Sequence, residues 1–221
     1  MKFLLDTRGD EINRKWHPEF VSGQLLTPLT RYADWGGFYA IDNGAFSGFP
    51  EKAFRSLLER QKHARDRCKF VTCPDIVGNG RRTLELWQYR HRWLAGWPAA
   101  LVLQNGIEDM EIPWRDCAAV FVGGVDPWKE SQACADLVRT AKTLGIWVHV
   151  GRVNTYGRWK RFADLGADSC DGSGVARYDH MLAAIIRAET EPERTLFDGQ
   201  GTDAEPAVCG AGDGVSGGSL V

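Results

Sequence analysis

The feature that most constrains this chain is a recurring pattern of short apolar runs, each closed by a polar or glycine-bearing tail. Ala40-Ile41 leads into Asp42-Asn43-Gly44-Ala45-Phe46, and Phe70-Val71-Thr72 into Cys73-Pro74-Asp75. Ala99 to Leu103 leads into Gln104-Asn105-Gly106, Ala119 to Val122 into Gly123-Gly124-Val125, and a last segment reads Asp168-Ser169-Cys170-Asp171-Gly172. Runs of this length with no alternation read as strands buried on both faces, which is how the strands of a parallel sheet look. Further short runs read as strands at Phe3 to Leu5, Leu25 to Pro28, Phe38 to Ile41 and Ile146 to Val150. Helical stretches fall between them at about Pro50 to Arg67, Arg82 to Leu94, Glu130 to Leu144 and Arg158 to Leu165, with a closing helix at Met181 to Glu189. Strands alternating with helices in this way predict a compact α/β chain, a (β/α)8 TIM barrel occupying residues 1–197. Residues between Thr7 and Gly37 hold no convincing helix, so the first units are expected to be loop-like.

A barrel of this kind builds its site where the strands end, because several strands converge there on one mouth. The length of 221 residues suits one such domain, and 43% apolar residues with nine tryptophans supply its core. From Asp198 to Val221 the chain is rich in Gly, Ser and Ala without hydrophobic periodicity, which predicts a disordered tail. Met1 to Leu5 turns polar at Asp6, too early for a signal peptide, and no run approaches the ~20 apolar residues that cross a bilayer. The six cysteines fall at irregular intervals with no C-x-x-C pair, which fits buried thiols in a reduced cytoplasmic protein better than a disulfide framework or a zinc site. No metal and no cofactor is expected. A net charge of -2 gives no global attraction for nucleic acid, so such a partner would have to be held by a local patch.

Each strand-end signature has a plain structural meaning beside a functional one. Asp42 before Gly44 could cap a turn, or aim a carboxylate at a ligand on whose ring Phe46 stacks. Asp75 could cap a helix entry or accept a hydrogen bond inside the mouth. Gln104 could belong to a turn or reach a ligand's donors and acceptors. The Gly123-Gly124 pair could make a tight connection or free N–H groups to face a ligand oxygen. Asp168 and Asp171 lie three residues apart on a short strand end and should point in different directions. Arg152, Arg158, Lys160 and Arg161, interleaved with Tyr156 and Trp159, form the best local basic patch, readable either as solvated helix charges or as phosphate contacts. His149 sits alone in a strand, where a hydrogen-bonded core histidine is the default.

Taken in order, these signatures resemble the tRNA-guanine transglycosylase superfamily. Asp42-Asn43-Gly44-Ala45-Phe46 is similar to that family's Asp-Ser-Gly-Gly-Phe segment, and Asp75 matches its guanine-recognising aspartate in order and context. Gln104-Asn105-Gly106 resembles its Gln-Gly-Gly, Gly123-Gly124 its Gly-Gly pair, and Val150-Gly151 the Val-Gly before its last strand. Asp168-Ser169-Cys170-Asp171 matches its Asp-x-x-Asp, and Arg177 stands where the family has a nearby arginine. The family's C-x-C-x-x-C…His zinc insertion is missing, and no room remains for an extra RNA-binding domain. The resemblance is therefore closest to the reduced, often phage-encoded branch of DNA deazaguanine transglycosylases (DpdA-like proteins).

What the resemblance implies is a pentosyltransferase that exchanges guanine for a 7-deazaguanine base, such as 7-cyano-7-deazaguanine, in DNA. Asp171 would be the nucleophile and Asp42 the general acid/base. Phe46, Asp75, Gln104, Gly123, Gly124 and Gly151 would bind the base. Arg152, Arg158, Lys160, Arg161 and Arg177 would hold the polynucleotide, single-stranded or with its guanine flipped out, since a stacked base cannot reach such a pocket. An RNA substrate, a retaining nucleoside hydrolase, and a noncatalytic nucleobase-binding barrel, alone or within an oligomer, are the alternatives.

Overall fold

The computed structural model describes residues 1–6, 15, 17–30 and 36–191. Its strands are β1 (Lys2–Leu5), β2 (Val21–Leu26), β3 (Tyr39–Ile41), β4 (Cys68–Thr72), β5 (Ala99–Leu103), β6 (Ala119–Val122), β7 (Trp147–Val150) and β8 (Ser169–Cys170). All pair in parallel with their sequence neighbours, and β8 returns to β1 through Lys2↔Ser169 and Phe3↔Cys170, closing the barrel. The chain is a TIM barrel. The described helices are α1 (Glu51–Gln61), α2 (Gly80–Arg90), α3 (Asp126–Lys129), α4 (Gln132–Thr143), α5 (Tyr156–Asp164), α6 (Ser173–Arg177) and α7 (Asp179–Thr190). None of them is long and apolar enough to cross a membrane. The expected tail from 198 to 221 lies outside the described residues, as do residues 7–14, 16 and 31–35 of the stretch expected to be loop-like.

Alternation along the strands divides the apolar residues into two layers. Leu4, Leu25, Ala40, Phe70, Ala100, Val102, Ala119 and Phe121 fill the barrel interior. Their neighbours Phe3, Leu5, Ile41, Val71, Leu101, Val120, Val148 and Val150 face outward and pack with helix residues such as Phe54, Trp87, Val138, Trp159 and Phe162. Side-chain caps start three of the helices: Asn79, Ser131 and Thr155 accept from the N–H groups of Arg82, Cys134 and Arg158.

β2 departs from expectation. The sequence places it at Leu25 to Pro28, whereas it runs from Val21 to Leu26 and Thr27–Thr30 form a turn tied by Thr30 N–H to Thr27 O at 3.0 Å. Gly23 in its middle disguises the strand, yet the glycine is required there: a Cβ would lie 2.5 Å from the Phe38 carbonyl oxygen. The short helices α3 and α6 also escape a periodicity reading, being too short to show one.

Candidate functional site

The C-terminal strand ends enclose a cavity of about 290 Å³, lined among others by Asp42, Phe46, Asp75, Gln104, Arg152 and Asp171. Thus the tails of β3, β4, β5, β6 and β8 meet in one place, as the strand-end pattern predicts, and the tail of β7 joins them. Gly123, Gly151 and Arg177 also line it.

Asp171 leaves β8 with its carboxylate held at both oxygens. Arg152 N–H donates to Oδ1 at 3.2 Å, and the His149 ring meets Oδ2 through Nε2 at 3.1 Å. Arg152 holds the left-handed φ of 61°, a conformation uncommon outside glycine. Its guanidinium donates to Gly124 O at 2.8 Å and lies 5.3 Å from the centre of the Phe46 ring. Beneath, the wholly buried Lys129 donates its Nζ to Gly151 O at 2.5 Å, and burial draws its pKa down to about 8.

Asp42 has a different environment. Its Oδ2 accepts from Gly44 N–H at 3.3 Å and its Oδ1 from the Thr72 hydroxyl at 3.3 Å. Burial, with the charges of Asp171 and Asp75 added, pushes its pKa up to about 7. A carboxyl near neutrality can give a proton and take one back at physiological pH.

Asp75 is gripped by two amides. Asn43 Nδ2 donates to its Oδ1 at 2.8 Å and to Cys73 O at 2.8 Å, while Gln104 Nε2 donates to its Oδ2 at 2.7 Å. Burial raises the Asp75 pKa, and these two hydrogen bonds oppose the rise. Gln104 Oε1 accepts from Gly78 N–H at 2.8 Å, so this side chain is fixed across the ends of β4 and β5. Either end of the Gln104 amide can still meet a ligand, because Nε2 carries two hydrogens and the carbonyl two lone pairs.

One expectation is corrected. The N–H of Gly124 does not face the cavity as a free donor; it bonds to Leu103 O at 3.1 Å, as Gly123 N–H does at 3.0 Å. What position 124 supplies is clearance, since a Cβ there would fall 2.2 Å from the Trp128 ring.

The basic residues do not converge. Arg152 and Arg177 line the cavity. Arg158 pairs with Asp126 at 3.3 Å and Glu130 at 3.2 Å, Arg161 donates to Glu130 O at 2.9 Å, and Lys160 pairs with Asp164 on the flank of α5. Asp168 sits at the other end of the barrel. Its Oδ2 accepts from Lys142 Nζ at 2.6 Å and Val148 N–H at 2.7 Å, so Asp168 and Asp171 face opposite ends.

Residue-by-residue reading misses Asn43 and the part played by His149. Asn43 is 1% exposed, and its position between Asp42 and Gly44 is the only signal. His149 is buried and bonded at both ring nitrogens, as a core histidine should be, but one partner is Asp171. Among the described residues no group of His, Cys, Asp and Glu could hold a metal ion, and Cys68, Cys73, Cys117, Cys134 and Cys170 are free and buried.

No family model and no curated protein matches the sequence. Among solved structures the chain is similar to an HpcH/HpaI aldolase from Desulfitobacterium hafniense DCB-2, at 11% identity and a TM-score of 0.41 over 87% of this chain and 93% of that one. It is also similar to a native KDPGal structure (14%, TM-score 0.34, 71% and 84%). A third is a c-di-GMP-bound standalone versatile EAL protein from Vibrio cholerae O395 (11%, TM-score 0.33, 62% and 62%).

Proposed function

We infer that the barrel is an enzyme, a guanine transglycosylase that exchanges guanine in DNA for a 7-deazaguanine base through a covalent aspartyl–sugar intermediate. The observation that carries this reading is the unequal environment of two carboxyl groups on one cavity. Asp171 is oriented by donors at both oxygens, while Asp42 is pushed up to about 7 and can carry a proton. Nucleophile and acid are the roles such a pair is suited to.

In the first displacement an Asp171 oxygen bonds to the anomeric carbon as the bond from that carbon to the guanine N9 breaks. The bonding pair goes to the leaving base, which takes the proton of Asp42. In the second, Asp42, now a carboxylate, removes the proton from the incoming base as its nitrogen attacks the same carbon and releases Asp171. The sugar thus keeps its configuration, and no electrons leave the system. Asp75 and Gln104 would read the polar edge of the base, with Phe46 against its face.

The test is covalent trapping. Incubated with a guanine-containing single-stranded DNA oligonucleotide, the wild-type protein should form an adduct that mass spectrometry places on Asp171, and guanine should be released. With a 7-deazaguanine base added, that base should appear in the DNA. Asp171→Ala should form no adduct, and Asp168→Ala should still form one. An adduct that survives Asp171→Ala and disappears in Asp42→Ala would reverse the two roles. An adduct resolved only by water would make the protein a hydrolase, and the absence of any adduct or released base would leave a binding barrel.

A further inference from the structure

His149 is a buried titratable side chain that takes no part in the bond changes of the two displacements. It lies on β7, wholly buried, with its ring 5.0 Å from that of Phe70 and 4.8 Å from that of Phe121. Nε2 is 3.1 Å from Asp171 Oδ2, and Nδ1 is 2.9 Å from Ser169 Oγ. Trp147 Nε1 lies 2.9 Å from the same serine oxygen. These four side chains form a line along the barrel interior from Trp147 to Asp171.

The hydrogens along that line can be placed by elimination. An indole N–H only donates, so Ser169 Oγ accepts from Trp147. An ionised carboxylate only accepts, so Nε2 of His149 carries a hydrogen and gives it to Asp171. In a neutral ring Nδ1 is then bare and needs a donor, and the serine hydroxyl still has its hydrogen to give. A doubly protonated ring would instead turn two N–H donors onto Ser169 Oγ and strand the hydroxyl hydrogen in a buried, apolar space.

We propose that His149 is a positioning residue for Asp171, held as the neutral Nε2–H tautomer by the Trp147–Ser169 pair so that it orients the carboxylate without cancelling its charge. The other oxygen is directed by Arg152 N–H, so the attacking group is fixed from two sides. A charged imidazolium in the same place would form a full ion pair with Asp171 and draw electron density from the nucleophile. Among the described residues, Asp42 and Lys129 also interact electrostatically with Asp171. The tautomer follows from the hydrogen bonds alone; its consequence for rate rests on the transglycosylase reading.

The experiment is long-range proton–nitrogen correlation NMR on protein labelled with ¹⁵N-histidine at about pH 7.5, with the His149 signals identified by their loss in His149→Asn. The wild type should show the neutral Nε2–H pattern, read on the native protein itself. Ser169→Ala removes the donor to Nδ1, so the Nδ1 signal should move away from its hydrogen-bonded position at the same pH. Adduct formation at saturating oligonucleotide should slow roughly 10- to 100-fold, the scale of a misplaced reacting group, while half-saturation moves little. A wild-type ring that is Nδ1–H or doubly protonated would overturn the proposal. So would a folded Ser169→Ala protein with unchanged ring signals and rate. If the Nε2–H pattern is found and the wild type forms no adduct, the assigned tautomer stands and the transglycosylase reading falls.

Discussion

A carboxyl group that keeps its proton to about pH 7 in the folded chain is a burden on folding above that pH. For Asp42 the ordinary value of 3.8 applies when the chain is unfolded and about 7 when it is folded. Between about pH 4 and pH 7 the unfolded state therefore binds fewer protons than the native one, and stability falls as pH rises through that window. At the usual conversion of roughly 1.4 kcal/mol per pH unit, the loss above pH 7 is on the order of a few kcal/mol. Asp42→Asn should remove this slope. Relative to wild type it should gain stability steadily from about pH 4 to pH 7 and no further beyond, as read by denaturant melts at several pH values. A gain that is the same at pH 4 and pH 8 would mean that the Asp42 carboxyl is not protonated in the native protein. The same proton has a kinetic signature. If Asp42 is the acid of the first displacement, single-turnover adduct formation should decline above about pH 7, and Asp42→Asn should be slower by roughly the 10²- to 10⁴-fold typical of a lost general acid.

At the scale of elements, the site depends on strand ends locked to one another across the sheet. Gln104 at the end of β5 holds Asp75 at the end of β4 and the Gly78 N–H beyond it, while Asn43 holds Asp75 from β3. Gln104→Leu keeps the volume but leaves Asp75 Oδ2 short of a donor in a buried place. It should cost about 1–3 kcal/mol in a denaturation midpoint, a range set by the desolvation of an unsatisfied group. It should also raise the Asp75 carboxyl further, because that hydrogen bond opposes the effect of burial. A second joint lies between β8 and α6. At Gly172 a Cβ would meet Val153 O at 2.2 Å and Asn154 Oδ1 at 2.8 Å, and the first of these is backbone. Gly172→Ala should therefore displace the segment that follows Asp171 and destabilise by about 1–3 kcal/mol, the usual range for overpacking. These joints explain what could be read in advance. β5 and β6 are apolar throughout and end on polar or glycine residues, so both the strands and their tails stand out. β2, with Gly23 and Gln24 inside it, shows only its last residues, from Leu25 on, until the close approach of Phe38 is known. The contact between His149 and Asp171 joins residues 22 apart through the register of β7 on β8, which no local pattern encodes.

For the molecule as a whole, the question is how a chain of net charge -2 would hold a polyanion. Six of the eight large apolar side chains that remain exposed among the described residues lie beyond the C-terminal strand ends: Leu29 after β2, Phe46 after β3, Ile76 and Val77 after β4, Val125 after β6 and Tyr178 after β8; Tyr89 on α2 and Leu144 after α4 lie elsewhere. That rim suits unstacked bases better than phosphates. The cations divide into two sets, with Arg152 and Arg177 lining the cavity and Arg158, Lys160 and Arg161 already engaged by carboxylates or carbonyls on the flank. Salt dependence separates the two sets, because each phosphate neutralised on a single strand contributes about −0.7 to the slope of log K against log salt. Contact through the cavity arginines alone gives a slope of about −1.4, whereas all five cations together give about −3.5. Binding of a single-stranded oligonucleotide, followed by fluorescence anisotropy across a salt series, should show the shallow slope. Arg177→Ala should reduce it by about 0.7, and Lys160→Ala should leave it unchanged. A slope near −3.5 that falls in Lys160→Ala would mean that the strand runs over α5, and that its ion pairs with acidic neighbours open when nucleic acid binds.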